Sequence, residues 1–147
     1  MFEPDREKHR QFFAKAWDKY QQAQLLEPLE TMVVEIILIH PEYHCYLTTP
    51  YLDQDFFPEY GQKNPFLHLG LHLALREQLS IDQPKGIRHL YQAALLACNN
   101  THDLEHRMID CLAEILWISQ RDKVPPNEKA YINCLTQSLM KNKVNYY

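Results

Sequence analysis

Residues 64–78 read NPFLHLGLHLALREQ. Asn64 is a helix cap by residue type, and Pro65 suits the first helical position, where a missing N–H costs nothing. From there to about Leu79 only Gly70 interrupts a run of good helix formers. Leucines at 67, 69, 71, 73, 75 and 79 cover nearly every side of that helix. A helix apolar nearly all round is expected to lie centrally in a helical protein. Gly70 and Ala74, one turn apart, form a strip of small residues along which a neighbour can approach closely. His68 and His72 are also one turn apart, and at about 100° per residue they share a side with Leu75 and Leu79. These histidines therefore point inward.

Working outward, the helical signals continue in both directions. Asp5 to about Gln24 is a first amphipathic helix carrying Phe12, Phe13, Ala16, Trp17 and Tyr20. Pro28 opens a second, which runs to about His40, where Pro41 interrupts it. After the third helix, Pro84 opens a fourth that ends near Asn99. Asn100 or Thr101 caps a fifth running to about Arg121, and Asn127 caps a sixth from Glu128 to about Lys141. No repeat or linker divides the chain, so residues 1–147 are expected to form a single helical-bundle domain. The fold class is all-α, with about six helices. The connections 80–83, 99–101 and 122–126 are short, which makes successive helices antiparallel neighbours in an up-and-down bundle.

The totals agree. With 46% hydrophobic and 23% charged residues the composition is ordinary for a globular domain, and three glycines in 147 residues are too few for the tight turns of a strand-rich fold. The net charge of -4 and the scatter of lysine and arginine argue against a nucleic-acid binder, which needs a basic face. Lys141 and Lys143 read as a solvated helix end. The start, MFEPDREKHR, has no apolar signal segment, and the run from Met32 to Ile39 is too short to span a bilayer and contains Glu35. A cytoplasmic protein without a membrane partner is expected. Cys45, Cys98, Cys111 and Cys134 show no C-x-x-C pairing, and in a reducing compartment they read as small buried hydrophobes and not bridges. Cys111 falls on the apolar stripe of the fifth helix with Leu104, Met108 and Ile115.

An alternating topology gathers the histidines. The third and fifth helices run parallel, so His68, His72, His106 and Asp110 fall in one slab roughly 5–15 Å above the helix starts at a rise of about 1.5 Å per residue. The second helix runs the other way and delivers HPEYH (40–44) to the same end. His89 belongs at the far end. The candidate metal ligands are His68, His72, His106 and His44, with Glu35, His40 and Asp110 as reserve ligands or as groups behind them. Imidazoles one turn apart on a helix are a familiar way of holding a transition metal, of which zinc and iron are the leading candidates here. Glu35, set among Met32, Val33, Val34, Ile36 and Ile37, is either a buried carboxylate that needs a cation or an edge residue that pairs with an arginine such as Arg76. Glu114 projects with Asp103, Arg107 and Arg121, a solvated charged face.

The histidines have a second reading, in which they are structural groups hydrogen-bonded at the end of the bundle. The long connection 48–63, with Tyr51, Phe56, Phe57 and Tyr60, is then a docking loop for a protein partner; it also reads as a lid over the histidines or as an aromatic plug. A small-molecule pocket lined by the same histidines is a third reading. Glu-x-x-His, H-E-x-x-H, phosphate-binding glycine loops and nucleophile elbows are absent, so no reaction is legible and enzyme status stays open.

Three blocks, HPEYH (40–44), NPFLHLGLHLALREQ (64–78) and EHRMIDCLAEILW (105–117), together with QFFAKAW near the start, resemble an uncharacterised bacterial family catalogued as domain of unknown function 1841. The likeness covers nearly the whole chain. It implies a small cytosolic bacterial protein of one domain, and it carries over no catalytic roles.

Overall fold

The computed structural model describes residues 3–47, 64–98 and 100–144. Among these residues the protein is all-α, with no strand and with a helix count one above the six expected. The helices are α1 (Glu3–Gln21), α2 (Pro28–Leu38), a 3-10 helix (Pro41–Leu47), α3 (Pro65–Ile81), α4 (Ile87–Ala97), α5 (Thr101–Asp122) and α6 (Glu128–Val144). The additional one is the 3-10 helix, which occupies HPEYH where the second helix was expected to taper off. None of the described helices is long and apolar enough to cross a membrane. The chain divides into two compact units, Met1–Leu73 and Ala74–Tyr147, with the division falling inside α3.

In the first unit, Phe13 and Ala16 of α1, Val33, Val34, Ile36 and Ile37 of α2, Leu47 of the 3-10 helix, and Phe66, Leu69 and Leu73 of α3 form one buried cluster. Pro28 starts α2 as expected, and the Glu27 N–H donates to Glu30 Oε1 at 2.8 Å, closing the first turn. The same carboxylate lies 2.9 Å from Lys19 Nζ and so ties the end of α1 to the start of α2. The Glu27 N–H, and after it Lys19, hold the Glu30 carboxyl below the usual carboxylate range. Asn64 caps α3 as its residue type predicts, accepting from the N–H groups of Phe66 at 3.0 Å and Leu67 at 3.1 Å.

The small-residue strip on α3 has a specific occupant. A Cβ on Gly70 would stand 2.8 Å from Cε1 of His9, so the imidazole of α1 lies directly over the helix backbone, and its other side packs edge-on against Phe13 at 4.7 Å. Arg10 is buried beside it, with its guanidinium 4.6 Å from the Phe66 ring centre. The expectation that α3 is central on all sides is corrected at Leu67, which is 57% exposed. The helix buries Phe66, Leu69, His72, Leu73 and Leu75 and leaves the opposite side to solvent, so its leucine count exaggerates its burial.

In the second unit, α4, α5 and α6 pack on one another around Ile87, Leu104, Met108, Leu112 and Leu135. Asn100 accepts from the N–H groups of His102 and Asp103, and Asn127 accepts from Ala130, both as predicted for helix caps. The fourth helix begins at Ile87 and not at Pro84, because Asp82 Oδ1 accepts from the N–H groups of Gly86 (3.2 Å) and Arg88 (3.0 Å) and holds the intervening turn open. Gly86 has φ +97°, a conformation that only glycine takes readily. Half-buried Arg76 and buried Glu105 approach at 3.4 Å, and the Tyr131 hydroxyl donates to Gln78 at 2.7 Å.

The cysteine reading is corrected here. Cys111 and Cys134 form a disulfide between α5 and α6, with Cα atoms 5.8 Å apart. Cys111 is buried and Cys134 half-buried on facing helices, a proximity across 23 residues that local spacing does not reveal. Cys45 and Cys98 stand outside the bridge.

Scarce glycine leaves its mark at the helix ends. After α1, Ala23 takes φ +57°, while its N–H bonds Tyr20 O and that of Gln24 bonds Lys19 O, the pairing of a Schellman turn. Lys123 after α5 takes φ +53°, with the Val124 N–H on Ser119 O. A side chain in that left-handed region costs about 1 kcal/mol relative to glycine. Ala23→Gly and Lys123→Gly should therefore each raise the free energy of unfolding in urea by about 1 kcal/mol; a loss of stability would show that the Cβ contributes packing.

Alkylation of the unreduced protein should label Cys45 and Cys98 alone, and labelling of all four cysteines would contradict the bridge. Reduction should lower stability by about 3 kcal/mol for a loop of this length in the chain-entropy account.

Burial, followed by the charge of Arg10, holds the His9 pKa below its ordinary value of 6.5. The unfolded chain then takes up a proton at a pH where the folded one does not, so stability is intact above about pH 6.5 and falls as pH drops from there. In His9→Gln the slope of unfolding free energy between about pH 7 and pH 5 should flatten; an unchanged slope would assign the acid sensitivity to other groups.

Candidate metal centre

An α-helix leaves its last carbonyls without partners inside the helix. At the end of α2 two histidines supply them. His40 Nδ1 lies 2.8 Å from Ile36 O, and His44 Nε2 lies 2.9 Å from Ile37 O. A carbonyl only accepts, so the bonded nitrogen of each ring carries a proton. In neutral His40, therefore, Nδ1 is the donor and Nε2 presents its lone pair. That lone pair is aimed at α3.

His72 is wholly buried, His40 is 1% exposed, and His68 is half-buried. His68 Nε2 stands 3.2 Å from His40 Nε2 and 3.2 Å from His72 Nε2. The ring centres are 4.9 Å apart for His40 and His68, 4.6 Å for His40 and His72, and 4.8 Å for His68 and His72. The rings are inclined at 62–78°, so they meet at their nitrogen edges and do not stack. One ligand atom from each can be chosen such that all lie within 4.8 Å of one another. Tyr43 of the 3-10 helix closes one side, stacked on His40 at 5.5 Å and edge-on to His68 at 5.7 Å. Burial, and then the neighbouring Glu42 and Tyr46, push the Tyr43 hydroxyl above its ordinary pKa.

The arithmetic of protons is unfavourable to a purely hydrogen-bonded cluster. An imidazole nitrogen either donates or accepts. With the His40 lone pair already committed, His68 Nε2 can donate to it. The same N–H then faces His72 as well, and one proton serves two acceptors on diverging lines. A cation placed between the rings would accept all three lone pairs at once.

The expected ligands therefore divide. His68 and His72 are together as the helical spacing implies, and His40, expected in reserve, joins them. His44 is not with them: its Nε2 is taken by the Ile37 carbonyl and its ring lies against Trp17 at 4.5 Å. A 3-10 helix turns about 120° per residue, so four residues after His40 the side chain is rotated well away from it. Glu35 is exposed between the buried pairs of α2, which fits the edge residue and not the buried carboxylate. His106, half-buried, belongs to the second unit, where its ring lies 4.2 Å from that of His102. Asp110 and Glu114 are exposed on the same helix, the latter as expected for a solvated face. His102 is the residue the sequence reading missed, although its spacing to His106 matches that of His68 to His72. The candidate lid or docking residues Tyr51, Phe56, Phe57 and Tyr60 lie outside the described residues.

No curated protein and no solved structure matches the chain. Residues 5–137, which include all the candidate ligands above, match the family described as Domain of unknown function (DUF1841), and the chain belongs to that family.

Proposed function

We propose that the protein binds one transition metal ion through His40, His68 and His72. The observation that carries this reading is that His68 Nε2 stands 3.2 Å from the Nε2 atoms of both His40 and His72. Ligands about 2.0–2.1 Å from a tetrahedral zinc ion stand about 3.3–3.4 Å from one another. The rings thus stand near the spacing that a small divalent ion requires.

The surroundings support the same reading. The Ile36 carbonyl behind His40 Nδ1 is the kind of outer partner that fixes the tautomer of a metal-binding histidine and raises its basicity. An all-imidazole donor set suits zinc, iron, nickel or copper, with zinc and iron the leading candidates. Three histidines alone leave a position for water, and a zinc-bound water is acidic enough to serve in hydrolysis near neutral pH. A fourth imidazole closes the shell and makes the ion a structural or stored one. The reading commits to binding.

Untagged protein, purified without chelator, should contain about one equivalent of zinc or iron per chain by elemental analysis, and His68→Ala should lose it while keeping its helical circular dichroism. Saturating metal at about 100 times Kd should stabilise the natural protein by about 2.7 kcal/mol and the variant by much less. No metal in either protein after reconstitution with zinc and with ferrous iron would end this proposal, as would full affinity in folded His68→Ala.

A further inference from the structure

The second unit carries another pair of imidazoles. His102 and His106 occupy successive turns at the start of α5, and their rings lie 4.2 Å apart with planes inclined at 50°. Both are half-buried, so each keeps an edge within reach of solvent. The Asn100 cap binds the His102 and Asp103 N–H groups and holds the first turn of the helix in place. We infer that His102 and His106 form a second metal site, a two-histidine chelate on α5 for a divalent, imidazole-preferring ion such as nickel, copper or zinc.

Residues one turn apart on a helix face the same way, and at this separation nitrogens from both rings can reach one ion while water fills its remaining positions. Fixing both rings on one rigid helix lowers the entropy lost on chelation. The residues between them refine the assignment. His102, Glu105 and His106 have the spacing H-x-x-E-H, which in some zinc hydrolases supplies two ligands and a general base. Here Glu105 is buried, with Oε1 3.4 Å from Arg76 Nε. A carboxylate neutralised by a guanidinium is a poor base. The site is therefore a binding site and not a hydrolytic one.

The ligands of this inference lie on α5 and those of the function proposed above lie in the first unit, so the two fail separately. The test is calorimetric titration of the untagged full chain with nickel ion, above the ordinary histidine pKa of about 6.5, beside His102→Ala and His68→Ala. The natural protein should take two equivalents, the second more weakly. His102→Ala should keep the first and weaken the second by about tenfold or more, whereas His68→Ala should keep the binding that His102→Ala loses. One equivalent in the natural protein that His102→Ala abolishes and His68→Ala spares would support the α5 site and remove the triad. Nickel binding unaltered by His102→Ala, or no binding at all, would overturn the inference; His102 is half-buried on a capped helix, so its variant is expected to fold.

Discussion

The carbonyls of Ile36 and Ile37, left open where α2 ends, bind the imidazoles of His40 and His44, and the chemistry of the first unit depends on that capping. Pro41 is the reason the end falls there: it cannot donate to the helix behind it and disfavours helical geometry in the residue before it. The chain turns into a 3-10 helix, and the two histidines that follow Leu38 fold back over the open end. In capping it, His40 is forced into one tautomer. A bond whose first effect is to terminate a helix thus also chooses which nitrogen of His40 faces His68 and His72. Moving Pro41 by a residue would alter both.

The second constraint is how closely α1 approaches α3. At Gly70 no Cβ stands between the helix backbone and the His9 ring, and a side chain there would have to displace the imidazole. Gly70 lies midway between His68 and His72, so the segment that carries the two ligands is backed by α1. With three glycines in the chain, one is spent on this approach and another on the left-handed turn at Gly86, while Ala23 and Lys123 take left-handed conformations at some cost. Glycine is thus found where nothing else fits, and absent where a side chain can be tolerated.

How far the sequence could be read follows from the range of each signal. Asn64, Asn100 and Asn127 mark helix starts through bonds to backbone two or three residues away, and all three act as caps. His68 and His72 share a side because helical geometry alone requires it. Features that depend on distant partners were less legible. The roles of His40 and His44 were exchanged because the local winding after Pro41 is not an α-helix. Cys111 and Cys134 were taken for core residues, and Cys111 is indeed 3% exposed; the bridge depends on which residue of α6 faces it. Leu67 and Trp117 are apolar yet 57% and 60% exposed, since an apolar side chain is not barred from the surface. The spacing of His102 to His106 is local and legible, but a half-buried pair carries no inward-facing apolar pattern to mark it.

The two imidazole groups answer different physical demands. In the first unit His40 and His72 are buried and His68 is half-buried, their orientation is set by a helix end and by Tyr43, and their nitrogens meet at distances that one shared proton serves poorly. Burial of His40 and His72 makes the polar balance around their rings matter more, since little bulk water reaches them. It also strengthens whatever cation does balance them, and low polarity around a site holds its ligands in their neutral, binding form. On α5 the rings are half in solvent, where water satisfies any nitrogen that lacks a partner, so an empty pair costs little and an ion held there exchanges readily. On the proposed reading the buried cluster holds its ion firmly, while the exposed chelate only offers a place for one.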